Sequence, residues 1–214
     1  MIRYLLSFIF FVNAVSLFAQ ESGSTPREIY LVRHAQVDLE TPGLCFSGKA
    51  QKVHEQYDES PVVAFDPEPV RQQIDARYPA VYTSTLPRAI ETAIRLFPDH
   101  DSIQASALFN EYDLSIVSVP ILPLPYKLWT GVSRAVWFLH LNRHDETRSD
   151  AKQRMRQATD LLVEQSQKQR KIVLVAHGFL IADMRRELEK RGWEIIFSEG
   201  NKNLAVTKLV YSHS

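Results

Sequence analysis

Short apolar runs alternate along this chain with longer segments in which apolar residues recur every three or four positions. The clearest run, Ile172-Val173-Leu174-Val175, is continuously apolar and predicts a strand over residues 171–176 that is buried on both faces. Similar runs predict five further strands, at residues 28–33, 80–83, 102–105, 193–197 and 204–211. Helical spacing predicts five helices, at residues 67–78, 86–97, 126–141, 145–168 and 178–191.

The order of these elements determines the expected architecture. Strands and helices alternate along most of the chain, which favours a three-layer α/β/α sandwich with a mainly parallel central sheet. We expect one domain over residues 28–214, with a helical insertion at about 115–145. The helix at 86–97 has Pro87 in its first turn, and Thr85 is a candidate N-terminal cap.

Residues 1–19 have the pattern of a secretory signal. Arg3 precedes a mostly apolar stretch over residues 5–18, and the chain turns polar after Ala19. We therefore expect cleavage after Ala19, a linker over residues 20–27, and an exported protein, periplasmic or secreted, with no stable membrane insertion. The alternative is an uncleaved membrane anchor, although the apolar stretch is shorter than the roughly 20 residues that span a bilayer comfortably.

Composition and charge narrow the function classes. The chain has 214 residues, 45% of them hydrophobic, and a formal net charge of zero. A general binder of nucleic acid or of anionic membranes would need a marked basic excess, so we expect neither partner. The single cysteine, Cys45, cannot form an internal disulfide and is expected to be inert packing. The oligomeric state is left open.

Candidate chemistry lies where predicted strands end or helices begin. Arg33-His34 ends the first strand, His177-Gly178 follows the strand at 171–176, and Ser84 and Arg88 flank the start of the helix at 86–97. If the first strand and the strand at 171–176 are neighbours, both histidines emerge side by side at the carboxyl edge of the sheet.

These residue types suit a phosphoryl group. A neutral imidazole is a nucleophile towards phosphorus, and neighbouring arginines disfavour its protonation. The guanidinium groups of Arg33 and Arg88 match phosphate oxygens, and His177 can donate a further hydrogen bond. Gly178, at the start of its helix, would let backbone N–H groups approach the anion.

Three sequence motifs carry a family resemblance. Arg33-His34-Ala35 is similar to an Arg-His-Gly motif, residues 84–89 match Ser-x-x-x-Arg-Ala, and His177-Gly178 matches a late His-Gly pair. In this order they resemble the histidine phosphatase superfamily, the phosphoglycerate mutase-like proteins. The phytase-type branch extends its first motif to Arg-His-Gly-x-Arg-x-Pro and pairs its late histidine with aspartate, so this chain looks like the mutase-type branch.

The resemblance implies a mechanism and a set of roles. His34 would attack phosphorus to form a phosphohistidine, which water would hydrolyse without a metal or a cofactor. Arg33, Arg88 and His177 would hold the phosphoryl oxygens, and Ser84 and Gly178 are assigned to the same phosphate site. The family places an acidic proton donor in a loop after the third strand. Glu111 is the first choice for this role and Asp113 is the alternative.

Specificity in this family comes largely from the insertion. Tyr112, Trp129 and Arg134 are therefore candidate substrate contacts, and Gln36 and Asp38 are candidates for the pocket rim. The alternative for residues 119–127 and the helix after them is a packed connection with a core-facing helix.

Two other patterns favour ordinary structural roles. Residues 43–49 mimic a phosphate-binding loop, but Ala50 stands where the hydroxyl ligand of Mg²⁺ should be. His140 and His144 lie one helical turn apart without the glutamate of a zinc protease, so we expect no metal site.

The function expected from the sequence is therefore an exported phosphatase that hydrolyses small-molecule phosphomonoesters. The alternatives are a phosphotransferase or mutase, and a non-catalytic phosphate-binding module of the cell envelope. Retention of both histidines, both arginines and an acidic residue argues against the non-catalytic alternative.

Overall fold

A six-stranded sheet forms the centre of the protein. The computed structural model describes residues 25–74, 80–99, 103–119, 121–139, 141 and 146–212. In chain order the six strands are β1 Arg27–Arg33, β3 Ala80–Thr83, β4 Ile103–Ala105, β6 Lys171–Ala176, β7 Glu194–Ser198 and β8 Val206–Tyr211. Two short strands, β2 Leu44–Cys45 and β5 Leu124–Pro125, pair separately as an antiparallel ribbon.

The strand order brings the predicted motif positions together. The sheet runs β4-β3-β6-β1-β8-β7, and β1, β3, β4 and β6 are parallel. Arg33 at the end of β1 is in register with Ala176 at the end of β6, which confirms that these two strands are neighbours. The carboxyl ends of β1, β3 and β6 therefore meet at one edge of the sheet.

Helices cover both faces of the sheet, which is why its central strands are apolar without alternation. The helices are α1 Ser47–Glu59, α2 Glu68–Arg71, α3 Pro87–Leu96, α4 Tyr126–Phe138, α5 Arg148–Gln169 and α6 Gly178–Lys190. A 3-10 turn spans Ala107–Phe109. Ile29 and Leu31 of β1 pack with side chains of α5 and α6, whereas Tyr30 and Val32 pack with side chains of α3. The predicted three-layer α/β architecture is confirmed.

A smaller apolar cluster holds the insertion against α1. Cys45, Ala50, Val53 and Trp129 belong to this cluster together with Ile116 and Tyr126. Helix α1 was not predicted, since only three of its residues, Ser47, Ala50 and Val53, are buried. Among the described residues, no helix is both long and apolar enough to cross a membrane.

Several predicted boundaries need correction. Helix α2 ends at Arg71, far short of the predicted residue 78, and residues 75–79 lie outside the described residues. Leu86, not Thr85, occupies the N-cap of α3. Thr85 instead donates its backbone and hydroxyl hydrogens to the Asn110 side chain, at 2.9 Å each. The predicted signal at 1–19 lies outside the described residues.

Strand β1 begins at Arg27, the last residue of the predicted linker at 20–27 and one residue before the predicted start of the strand. The guanidinium carbon of Arg27 lies 4.3 Å from the Tyr211 ring centroid and 5.5 Å from that of Trp193, so two aromatic faces hold this cation in the fold.

Candidate active site

The two histidines of the motifs face one cavity at the carboxyl edge of the sheet. The ring centroids of His34 and His177 are 5.1 Å apart. Both residues line a cavity of about 860 Å³ together with Arg33, Arg88 and Glu111. The structure thus brings together five candidate residues that span 145 positions of the sequence, from 33 to 177.

His34 is held as a neutral imidazole with one nitrogen available. Its side chain is buried, at 2% exposure, and Nδ1 lies 2.7 Å from the carbonyl oxygen of Ala35. That contact requires the proton on Nδ1, so Nε2 carries the free lone pair. Burial lowers the pKa of His34 to about 3, with Arg88 and Arg33 adding to the effect. The alanine that replaces the family's glycine fits here, because Ala35 has no positive φ.

The backbone around His34 is fixed from three directions. The His34 amide donates to the Ala176 carbonyl oxygen at 2.9 Å, and the Ala35 amide donates to Thr92 Oγ1 at 3.0 Å. Asn203 Nδ2 donates to the His34 carbonyl oxygen at 2.9 Å. These bonds connect the end of β1 to β6, α3 and the segment before β8, so the imidazole projects from a rigid support.

His177 presents a donor to the cavity. Its side chain is 1% exposed, and its Nε2 lies 2.7 Å from Ser84 Oγ. Ser84 Oγ also accepts from the Leu86 amide at 3.2 Å. In the tautomer in which the Ser84 hydroxyl donates to Nε2, the imidazole proton sits on Nδ1. Within the described part of the chain, the buried Nδ1 has no hydrogen-bond partner. Burial, followed by Arg88, holds the pKa of His177 well below its usual value.

Ser84 was assigned to the phosphate site, and its place in the structure corrects that assignment. The hydroxyl group is fully buried and bonds to His177, and Ser84 is absent from the cavity lining among the described residues. It therefore contacts His177 and does not itself line the cavity.

Arg88 is anchored by side chains of α1, a helix that was not predicted from the sequence. It is 2% exposed, its Nη1 donates to Asp58 Oδ1 at 2.9 Å, and its guanidinium carbon lies 4.9 Å from the Tyr57 ring centroid. Both α1 residues line the cavity. The only sequence signal for this wall is the helical spacing of Ala50, Val53 and Tyr57.

Arg33 reaches the cavity past Gly178. Its Nη1 donates to the carbonyl oxygen of Asn201. A β-carbon at Gly178 would lie 3.3 Å from both Cζ and Nε of Arg33. Glycine therefore avoids a close contact with the guanidinium group. Across the described ranges, the Nε atoms of both Arg33 and Arg88 are buried without a hydrogen-bond partner.

The start of α6 is occupied by the protein's own carboxylate. Glu111 Oε2 accepts from the Phe179 amide at 3.1 Å, and Oε1 accepts from the Leu180 amide at 3.2 Å. A carboxylate at a helix N-terminus is favourable because the first amides of the helix lack internal partners. In this structure Glu111 therefore occupies the amides of Phe179 and Leu180, whereas the predicted approach of an anion to Gly178 stays a prediction.

Glu111 and Asp113, the alternative acids, both line the cavity but differ in their settings. Glu111 is half-buried beside His177 at the start of α6, whereas Asp113 is exposed. Backbone amides of α6 therefore hold both carboxylate oxygens of Glu111 in place.

Two of the predicted specificity residues line the cavity. The Tyr112 hydroxyl donates to Asp183 Oδ2 at 3.0 Å, and Arg134 Nη2 donates to the Tyr112 carbonyl oxygen at 3.1 Å. The Arg134 guanidinium carbon also lies 5.0 Å from the Phe179 ring centroid. Both residues line the cavity, but Tyr112 is only 3% exposed and packs in the core against Trp137.

The other three predicted specificity residues lie elsewhere. Trp129 is 1% exposed and donates from Nε1 to the Cys45 carbonyl oxygen at 2.7 Å, so it packs in the core of the insertion. Gln36 and Asp38 pair through their backbones with residues 61–63 and do not line the cavity. The segment at 43–49 forms β2 and the start of α1, also outside this cavity.

No metal site emerges from the described ranges, which contain no group of three or more histidine, cysteine, aspartate or glutamate side chains suited to a metal ion. His140 and His144 lie outside the described residues.

Acid should destabilise the protein through His34. The unfolded chain takes up a proton near the ordinary pKa of 6.5, whereas the folded protein resists protonation until about pH 3. Between these values the unfolded state binds more protons, so the free energy of unfolding falls as pH falls. Two pH units below 6.5, His34 alone accounts for about 3 kcal/mol.

Urea unfolding of the wild type and of His34→Gln at about pH 7 and pH 4.5 measures this effect. We expect the variant to lose about 3 kcal/mol less than the wild type between the two pH values. An identical loss in both proteins would show that His34 is not buried in its neutral form.

Comparisons with known proteins identify the family and the fold. The family model for the histidine phosphatase superfamily (branch 1) matches residues 69–214, a range that begins after the Arg33-His34 motif. A search of the curated proteins finds no match to the chain.

Solved structures share the fold. The structure of mycobacterial hydrolase 2 has a TM-score of 0.59 and 21% identity, and the match covers 88% of this chain and 84% of that one. A mycobacterial glucosyl-3-phosphoglycerate phosphatase has a TM-score of 0.57 and 20% identity, covering 87% and 91%. A Bacillus stearothermophilus protein has a TM-score of 0.55 and 18% identity, covering 76% and 80%. Because the family model spans more than half of the sequence, the chain belongs to the histidine phosphatase superfamily, in branch 1.

Proposed function

We propose that this protein is a phosphatase that hydrolyses small-molecule phosphomonoesters through a phosphohistidine at His34, without a metal ion. One observation carries the proposal: a neutral, buried imidazole with a free Nε2 lies among buried donors that have no partner within the described residues. Those donors are Nδ1 of His177 and Nε of Arg33 and Arg88. Buried polar atoms are normally hydrogen-bonded, so such a group points to a ligand with several acceptor oxygens.

The phosphoryl-transfer step follows from this arrangement. His34 Nε2 attacks phosphorus, a P–N bond forms, and the P–O bond to the leaving alcohol breaks. Arg33 and Arg88 offset the negative charge on the phosphoryl oxygens, and the neutral His177 donates a hydrogen bond to them. Glu111, in its protonated form, supplies the proton that the leaving alkoxide requires.

Hydrolysis of the intermediate reverses these roles. Glu111, now a carboxylate, accepts a proton from water, whose oxygen attacks phosphorus while the P–N bond breaks. The electron pair returns to Nε2 of His34, and the site is restored. Two carboxylate contacts with the start of α6 hold Glu111 in place between the two steps.

The cavity beyond the two arginines indicates a polar leaving group. A volume of about 860 Å³ exceeds what a phosphoryl group alone would fill. Its outer wall is polar and comes from α1 and α4: His54 Nδ1 lies 3.2 Å from the Tyr126 hydroxyl, with Gln51, Lys127 and Thr130 nearby in the lining.

Phosphate release from a panel of sugar, nucleoside and alkyl phosphates, in the presence of a chelator, tests the proposal. We expect steady release that added divalent metal does not increase. Activity that depends wholly on metal would contradict the mechanism, and transfer between two sugar phosphates without net release would indicate a mutase. Binding of phosphate with no turnover of any ester would favour the non-catalytic module.

We further propose that the protein is exported, on the sequence of residues 1–19 alone. N-terminal sequencing of protein recovered from cells is expected to start after Ala19. An intact leader would favour the membrane-anchored alternative and would leave the hydrolytic proposal unaffected.

A further inference from the structure

We propose that Arg154, on α5, is a positioning residue that places the proton donor through the loop at residues 108–111. The inference rests on the proposed function, because it assigns Arg154 a part in the protonation of the leaving group. Arg154 does not line the cavity formed by the described residues, so it acts through that loop.

The Arg154 guanidinium group uses all of its five N–H donors. Nε and Nη2 bind the two carboxylate oxygens of Glu146 at 2.6 and 2.7 Å. Nη1 donates to the carbonyl oxygens of Leu108 and Asn110 at 3.1 and 2.7 Å, and Nη2 also donates to that of Glu111 at 3.3 Å. One planar group therefore gathers three carbonyl oxygens of the acid loop and fixes its path.

The partner of Arg154 is itself anchored. The Glu146 carbonyl oxygen accepts from Trp137 Nε1 at 2.7 Å, and the side chains of Glu146 and Arg154 are only 14% and 19% exposed. Trp137 stacks on Tyr112, with ring centroids 5.4 Å apart. The bidentate pair thus connects the acid loop to the core, and its geometry does not depend on substrate.

The loop connects two parts of the active site. Asn110 binds the backbone and hydroxyl groups of Thr85 just before α3, the helix that carries Arg88. The next residue, Glu111, binds the start of α6 beside His177. A shift of the loop carbonyls would therefore move the carboxyl group relative to His34, while Arg33 at the end of β1 and His177 after β6 keep their own supports.

A leaving-group comparison tests this role. Alkyl phosphates need proton donation to the departing alkoxide, whereas p-nitrophenyl phosphate releases a stable anion and needs little. Arg154→Lys keeps the charge but lacks the planar fork. We expect kcat/KM to fall about 100-fold for glycerol phosphate and less than about 3-fold for p-nitrophenyl phosphate, since general acid catalysis contributes 10²–10⁴-fold. Glu111→Gln should show the same selective loss.

Matched variants keep the test decisive. Arg156→Lys, two residues further along α5 and exposed, should leave both activities unchanged. If Arg154→Lys does not fold, Glu146→Gln weakens the same pair and should show the same selective loss. Equal losses on both substrates in a folded variant would overturn the positioning role. A wild type that hydrolyses neither ester would instead overturn the proposed function.

Discussion

Replacing His34 with alanine should reduce phosphatase activity by a factor of at least about 10⁴, because no other side chain can take over as the nucleophile. His177, the nearest imidazole, has its Nε2 bound to Ser84 and cannot present that nitrogen to phosphorus. The fold should persist, since β1 is held by its pairing with β6 and β8 on either side.

Two measurements on His34→Ala make this prediction specific. Phosphate release reports turnover, and rapid quenching after labelled substrate reports the covalent intermediate, which should be labile in acid and absent from the variant. His54→Ala is the matched control, because His54 lies on the outer wall of the cavity, so its loss can change KM but should leave the covalent intermediate intact. Activity of His34→Ala within tenfold of the wild type would exclude the phosphohistidine mechanism.

Arg88→Ala should have the second largest effect, a loss of about 10³-fold in kcat/KM. Arg88 is buried beside both histidines, so its charge acts on the phosphoryl oxygens with little screening by water. Arg88 also disfavours protonation of both imidazoles, because its charge lowers the pKa of each more than any other charged group does. Its removal raises both pKa values, so the variant should lose activity at a higher pH on the acid side than the wild type.

Profiles of kcat/KM against pH for the wild type and Arg88→Ala measure both effects. Added guanidinium ion should restore part of the lost activity by entering the vacated space. Arg95→Ala is the matched control on the same helix, because Arg95 pairs with Glu91 in a partly exposed position. If Arg88→Ala has near-normal activity and loses it at the same acidic pH as the wild type, the charge of Arg88 does not act on the site.

The parts of the fold that the sequence predicts are those with strong local patterns. Strand β6 is buried on both faces, so its continuous apolar run is visible without any structure. The motif residues follow from it, since His177 is the first residue after that strand and His34 the first after β1. Parallel pairing of the two strands then places both imidazoles at one edge.

The parts that escaped prediction depend on contacts between distant segments. Asp58 has no local signal for function, and its role exists only because α1 packs beside α3 and meets Arg88. Trp129 resembles a pocket residue by type, yet its indole N–H is used by Cys45 in the core of the insertion. The start of α6 resembles an anion site, but Glu111, 67 positions before Gly178 in the sequence, already fills it.

The central position of β6 between β3 and β1 has a consequence for biosynthesis. Both neighbours of β1 lie in the last part of the chain, since β6 starts at Lys171 and β8 starts at Val206. During translation, β1 therefore remains without a strand partner until residue 171 and its successors have left the ribosome. The central pairing, and with it the active site, can assemble only after β6 has been synthesised, so ribosome-bound chains that stop before Lys171 should be unfolded around His34 and easily cut by proteases.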